Sequence, residues 1–302
     1  MSYIKSCLNY TGGKYKLLNQ ILPLFPQDID KFIDLFCGGA SVAINVNANQ
    51  ISCYDNINEL IELFNFIKNT DVEEIIEAIE EIIEIYGLSA TNENGYEYYG
   101  CNTSKGLSQY NKESYMRLRN DYNHQLYKNN NEKILWFYTL IIFGFNNQIR
   151  FNKDGVFNIP SGKRDFNNKL REKLVNFSNR IREININFEH SDFRTVNLNN
   201  LNHNDFIYID PPYLITTAAY NEQGGWTEND ERDLLNLLDN LNMIGIRFAL
   251  SNVFECKGKK NNILIEWANR YRVHYLNHHY NNSNYQIKDK TSRTVEVLIC
   301  NY

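Results

Sequence analysis

A chain of 302 residues, 43% of them hydrophobic, can bury the core of one large domain, or of a main domain carrying a smaller insertion. Its net charge of −5 and isoelectric point of about 5.8 exclude a uniformly basic surface, and its longest apolar stretch, Ile134 to Phe145, is too short to span a membrane and is broken by Thr139 and Gly144. Six scattered cysteines with no CxxC pair, and no signal peptide at Ser2-Tyr3-Ile4-Lys5, imply free thiols in a reduced, cytoplasmic protein.

The first buried strand is Phe32 to Cys37, closed by Gly38-Gly39 and followed by an expected helix over Ala40 to Val46. A second strand, Ile51 to Tyr54, ends at Asp55 and leads into a helix reaching about Lys68. This strand–glycine turn–helix–strand–acid unit begins a doubly wound α/β sheet, the Rossmann-like class. Apolar residues then recur at helical spacing from Val72 to Tyr86, with glutamates opposite. Leu88 to Ser108, rich in Gly, Asn and Tyr, is expected to be a loop. Helices are expected over Lys112 to Tyr127 and Lys133 to Phe143, and Asp154-Gly155 marks a hairpin within Phe151 to Asn158. The alternation resumes with a strand over Asp205 to Ile209, a helix over Glu228 to Leu241, a strand over Ile246 to Ser251 and a helix over Asn262 to Arg270. Strands near Arg272 to Asn277 and Thr294 to Cys300 suggest an antiparallel hairpin at the sheet edge. The simplest partition is a domain built from residues 1–56 and 194–302, with 57–193 inserted between them.

Charge is distributed unevenly along this order. Asp71 to Glu84 holds seven acids and no base, whereas Phe145 to Arg182 holds nine bases against three acids. A basic face inside an acidic protein can meet phosphate; an ordinary solvated helix accounts for it equally well. Similarly, 21 Tyr and 17 Phe can build a core or stack on nucleobases.

Three short segments carry chemistry. Asp210-Pro211-Pro212-Tyr213 follows a strand and so lies at the carboxyl edge of the sheet, where open α/β proteins place ligands. The two prolines have no N–H, so the segment offers acceptors, the Asp210 carboxylate and the Pro211 carbonyl. A primary amine conjugated to an aromatic ring is a poor nucleophile. Two acceptors on its hydrogens favour a pyramidal nitrogen, and Tyr213 can stack on its ring. In Asp34-Leu35-Phe36-Cys37-Gly38-Gly39, the glycines let backbone approach a ligand, and Asp55 is placed for the two hydroxyls of a ribose. The glycines are adjacent rather than in GxGxxG spacing, which fits a nucleoside without pyrophosphate. Tyr10-Thr11-Gly12-Gly13-Lys14 is a glycine turn with a lysine for a carboxylate, and it lacks the spacing of a phosphate loop. Each segment alone is also an ordinary turn.

In this order the three segments resemble the Dam-type, D12 class, N6-adenine DNA methyltransferases, and most of all the T-even bacteriophage enzyme. The resemblance covers nearly the whole chain, running through Phe32 to Val46, Gly144 to Arg164, Tyr208 to Tyr220 and Asp233 to Asn252. It implies S-adenosyl-L-methionine as cofactor, contacted by Tyr10, Lys14, Asp55 and Asp210, with Asp34, Phe36, Gly38 and Gly39 lining the pocket. Lys14 then faces the methionine end. It implies double-stranded DNA as partner, met by Phe145 as a wedging ring and by Asn147, Arg150, Asn152, Pro160 and Arg164. Arg150 is the first choice for reading a guanine through O6 and N7. Asp210, Pro211, Pro212 and Tyr213 form the catalytic segment, acting on an adenine flipped from the duplex, within GATC as the family's leading target. In a restriction–modification pair, a cognate endonuclease acts on the same site without being physically bound. Asn9, where the family often has a base, Gln148, where an apolar residue is usual, and Leu88 to Ser108 depart from the pattern.

Other chemistry fits less well. His274, His278 and His279 lack a Cys or acid at ligand spacing, so no metal is expected. No Pro-Cys dipeptide supports cytosine C5 methylation. Two readings stay open beside the leading one: a methyltransferase acting on RNA or a protein amide, and a DNA-binding module with a silent pocket.

Overall fold

The computed structural model describes residues 3–216, 225–277 and 294–302. Its strands are β1 (Lys31–Asp34), β2 (Gln50–Asp55), β3 (Ile186–His190), β4 (Phe206–Ile209), β5 (Arg247–Cys256), β6 (Lys259–Lys260), β7 (Arg272–Leu276) and β8 (Thr294–Cys300). The helices, in chain order, are α1 (Leu18–Ile21), α2 (Asn58–Asn69), α3 (Val72–Tyr86), α4 (Thr91–Tyr98), α5 (Ser108–Asn123), α6 (Asn130–Phe143), α7 (Asn168–Glu183), α8 (Glu228–Met243) and α9 (Asn262–Ala268). Contacts divide the chain into two compact units. One comprises Met1–Gly13, Gly38–Ile44 and Ile57–Ile184, and the other Lys14–Cys37, Asn45–Asn56 and Asn185–Tyr302.

The second unit holds a mostly parallel, Rossmann-like sheet in the order β3-β2-β1-β4-β5-β8-β7, with β6 paired to β5. β1 pairs in parallel with both β2 and β4, so the strand order reverses direction about β1, the point where open α/β sheets bind ligands. Strands covered on both faces must be apolar throughout, as Phe206 to Ile209 is, every residue of it buried. α8 contributes Leu234, Leu235, Leu238 and Leu241 to the core on the sheet, beside Leu264 and Trp267 of α9. Thr227 and Asp230 cap α8 reciprocally, which satisfies two of its free N–H groups. β7 and β8 form the expected antiparallel edge hairpin. The loop joining them, with His278 and His279, lies outside the described residues.

The first unit is a helical bundle around α6, whose residues from Trp136 to Phe143 are all buried. α5 holds the ribbon that follows. Tyr115 Oη donates to the Ile159 carbonyl (3.1 Å), Arg119 to the same carbonyl (2.8 Å), and Asn123 bonds both the N–H and the carbonyl of Phe157. The ribbon is the expected hairpin in reduced form, with an isolated bridge between Phe151 and Phe157 and Asn152 closing the turn.

Four expectations need correction. Leu88 to Ser108 is not simply a loop: it contains α4, kinked at Gly95. Asp165 anchors it by accepting from the Thr91 N–H (2.7 Å) and hydroxyl (2.9 Å). Ala40 to Val46 forms turns rather than a helix, because Ala40 is left-handed (φ 55°) and cannot continue a right-handed run. The sheet also takes β3 from the end of the stretch 57–193 assigned to the insertion, since Ile51 to Asp55 needs a parallel neighbour there. Finally, β5 runs five residues beyond Ser251, because β8 continues to pair with it.

Gly162 is the glycine with the least room for a side chain among the described residues. A Cβ there would lie 2.3 Å from the Gly144 carbonyl oxygen, against backbone that cannot rotate away. Gly162→Ala should therefore destabilise the protein by about 1–3 kcal/mol, read as a lower midpoint in urea unfolding.

Candidate active site

Three aspartates end three adjacent parallel strands. Asp34 closes β1, Asp55 closes β2, and Asp210 follows β4 directly. The registers place Asp34 beside Cys53 and Tyr208, so Asp55 and Asp210 each stand two residues further along the neighbouring strands. All three therefore converge at the carboxyl edge of the sheet, on either side of the point where strand order reverses.

Lys14, only 6% exposed, joins this group from the start of the second unit. Its Nζ donates to Asp210 Oδ2 at 2.7 Å, lies 4.0 Å from Glu296 Oε1 on β8, and sits 5.1 Å from the centre of the Tyr213 ring. Tyr213 Oη donates to the other Asp210 oxygen at 3.0 Å. Asp210 thus has both oxygens engaged and its carboxylate fixed. Burial pushes its pKa above the usual aspartate range, against which the Lys14 charge and both hydrogen bonds pull down.

Asp34 is the most strained member electrostatically. It is 2% exposed, and its Oδ1 has no hydrogen-bond partner among the described residues. Burial raises its pKa well above the ordinary value; the nearby Asp210 and Asp55 charges add to this, while the Phe36 backbone and Lys14 oppose it. Phe36, half-buried, forms a ring cluster with Phe193 (5.4 Å) and Trp226 (5.7 Å). Glu231, itself fully buried, fixes Trp226 by accepting from its indole N–H at 2.6 Å.

The first unit contains the other named residues. Tyr10 lies against Gly38 and Gly39 so closely that a Cβ at either would be 2.7 or 2.8 Å from it. Gly38 also has φ +46°, which disfavours any side chain. Phe145 is 44% exposed and Pro160 and Arg164 are exposed, while Asn147 is buried. Arg150 donates to Asn158 through Nε (2.7 Å) and Nη2 (3.2 Å), and Asn152 caps the hairpin turn. Three of the nine bases in Phe145 to Arg182 serve the bundle instead of a phosphate face. Arg171 pairs with Glu80, Arg180 bonds the Ile44 carbonyl, and Arg182 bonds the Ile67 and Lys68 carbonyls. His274 lies on β7, and His278 and His279 are outside the described residues.

Two buried polar residues at this edge escaped the sequence reading. Glu296 interrupts the apolar run of β8, and Asn252 on β5 has an Nδ2 with no partner among the described residues. The signal for Glu296 was a lone acid inside a strand of Val, Leu and Ile.

With this geometry in place, comparison with known proteins defines the class. The family model for the D12 class N6 adenine-specific DNA methyltransferases matches residues 10–282, and the chain belongs to that family. It is 44% identical to the type II methyltransferase M.FokI of Planomicrobium okeanokoites, over 100% of this chain and 43% of that protein. It is 42% identical to the modification methylase StsI of Streptococcus sanguinis, over 99% of this chain and 43% of that protein. A DNA adenine methylase of Salmonella typhi is 24% identical over 72% of this chain and 68% of its own length. The chain thus spans less than half the length of the first two relatives. Their names are those of modification methylases, so the likeness to the T-even phage enzyme in particular gives way to the family they share. Among the described residues, no helix is long and apolar enough to cross a membrane.

A carboxyl raised on folding lends stability that is complete below its unfolded value, 3.8 for aspartate, and is lost as pH rises through the folded value. Asp34→Asn should therefore raise the melting temperature of the ligand-free protein at pH 8 and leave it little changed near pH 4, as read by calorimetry. An equal shift at both pH values would contradict the electrostatic account of Asp34.

Proposed function

We propose that this chain transfers a methyl group from S-adenosyl-L-methionine to the N6 amine of an adenine in double-stranded DNA. The observation that carries the proposal is the fixed carboxylate of Asp210, held by Lys14 and Tyr213 at the head of Asp210-Pro211-Pro212-Tyr213. Family membership supports the reaction class.

The residues at the sheet edge fit the cofactor. The Asp34 Oδ1, without a partner among the described residues, is a buried acceptor open to a donor or a positive charge, and Asp55 ends β2 at the place for ribose hydroxyls. The close packing of Tyr10 on Gly38-Gly39 makes a backbone cradle that a Cβ would fill. On this reading Lys14, Asp34, Asp55 and Asp210 of the second unit hold the cofactor beside Phe36, and the family resemblance adds Tyr10, Gly38 and Gly39 to the cofactor-binding set. When bound, S-adenosyl-L-methionine supplies a methyl group made electrophilic by a sulfonium.

The rest of the mechanism belongs to the chain. The target adenine leaves the stack at a cost of roughly a few kcal/mol and packs on Tyr213. Asp210 and the Pro211 carbonyl accept the two amine hydrogens, which turns the nitrogen lone pair out of conjugation. As the amine gains positive charge, Asp210 stabilises it in a site where Lys14 already fixes the carboxylate's position. We assign target recognition to the inserted segment 57–193 up to the start of β3, and the catalytic work to 1–56 and 194–302 together with β3. Phe145, Asn147, Arg150, Asn152, Pro160 and Arg164 are the DNA-facing set. The exposure of Phe145, Pro160 and Arg164 supports this, and Arg150 must exchange Asn158 for a guanine edge. The names of the relatives support a place in a restriction–modification pair, with an endonuclease that shares the site without being bound.

Tritium transfer from labelled S-adenosyl-L-methionine tests this. Wild type should label a GATC duplex, or a random duplex pool if its site differs, and should not label the GATC duplex when N6-methyladenine replaces the target. Asp210→Ala should lose at least a thousandfold in kcat with its melting temperature kept. Full activity in Asp210→Ala would refute the assignment. Because a protonated Asp210 carries no negative charge to stabilise the amine and is a weaker acceptor, and its pKa is raised, kcat should fall on the acid side at a higher pH than an ordinary aspartate would give.

A further inference from the structure

The turn that carries Phe145 is held by a buried relay within the first unit. Asn146 and Asn147 are both left-handed, with φ 53°, a conformation that non-glycine residues adopt at a cost. Asn147 is compensated by its side chain, whose Nδ2 donates to the carbonyls of Ile141 and Ile142 at the end of α6, each at 2.9 Å. These carbonyls are among the last of a helix; that of Ile141 also accepts the Gly144 N–H, and the Asn147 amide adds a donor to both. The Asn147 Oδ1 in turn accepts from Asn9 Nδ2 at 3.0 Å, across 138 residues of sequence. Asn9 Oδ1 accepts from the Lys173 ammonium on α7. Two amides are thereby oriented in one direction, with a cation at one end and two helix carbonyls at the other.

Lys173 differs from its neighbours on α7. Arg171 is paired with a carboxylate, and Arg180 and Arg182 bond backbone carbonyls, whereas Lys173, half-buried, donates to the neutral Asn9 amide. Burial, with Lys5 and Arg164 nearby, pushes its pKa down, so keeping a lysine there costs stability. Replacing it by a neutral residue removes that penalty along with the hydrogen bond. Asn9 also precedes Tyr10, the ring seated on Gly38-Gly39, so the same amide anchors the residue beside the glycine cradle.

We infer that Lys173 is a positioning residue for target recognition, acting through Asn9 on Asn147 to hold the Phe145 turn in its left-handed form. The inference rests on the reading of Phe145 as DNA-facing. Lys173 does not touch the reacting atoms; its effect is on the ordering of the turn before DNA arrives.

Hydrogen–deuterium exchange of the free protein, paired with steady-state kinetics, tests it on wild type, Lys173→Met and Lys173→Arg. Lys173→Met keeps the side-chain length and removes the donor. Exchange across residues 144–150 should accelerate at least tenfold while β1, β4 and β5 keep their protection. The KM for DNA should rise about tenfold, with kcat at saturating DNA and the KM for S-adenosyl-L-methionine within twofold of wild type. Lys173→Arg should restore both readouts. Unchanged exchange at 144–150, or equal acceleration through every element, would overturn the relay. If wild type transfers no methyl group to any duplex, the proposed function fails, and the exchange comparison still decides the relay.

Discussion

The structure depends on a cluster of buried carboxylates placed at one edge of a parallel sheet. Strand pairing fixes Asp34, Asp55 and Asp210 as neighbours, because parallel strands in register must end side by side. Buried charges of like sign repel and lose hydration, so a fold tolerates them only where function requires it or a counter-charge is supplied. Lys14 supplies part of that counter-charge through its 2.7 Å contact with Asp210. Among the described residues Asp34 retains an oxygen without a partner, and its pKa is raised. The edge is thus less stable than it could be, in the way expected of a site preorganised for a cationic ligand.

Other features of the second unit follow from holding that edge still. Pro211 and Pro212 stiffen the segment after β4. Tyr213 binds Asp210 from one side and Lys14 from the other, and the Glu231–Trp226 bond braces the ring cluster that contains Phe36. In the first unit the same economy governs the ribbon after α6. α5 fastens one side of it through carbonyls, and the Asn9–Asn147 bond fastens the turn that precedes it. Catalytic geometry must be held to a fraction of an ångström, and side chains pinned at both ends achieve that.

Much of this was legible in the chain itself. Alternating apolar strands and amphipathic helices marked the α/β sheet, and the place of Asp210-Pro211-Pro212-Tyr213 at its carboxyl edge could be read because a segment directly after a strand can lie only at that end. The pairing of Lys14 with Asp210 was not legible: 196 residues separate them, and local pattern carries no information about such contacts. α4 was hidden because Gly95 and two asparagines, Asn92 and Asn94, give its sequence the composition of a loop. β3 was missed because His190 and Glu189 leave a short strand only half apolar at the sheet edge. The basic run from Phe145 to Arg182 was legible as charge but not as direction, and Arg171, Arg180 and Arg182 turn out to hold helices together.

The most direct test of the charge argument is calorimetric titration of S-adenosyl-L-methionine into wild type and Asp34→Asn at pH 7.5. If the edge is built around a cation, wild type binds and Asp34→Asn loses at least tenfold in affinity, about 1.4 kcal/mol. Equal affinities for the two proteins would show that the buried carboxylate serves the fold alone, and would contradict the account.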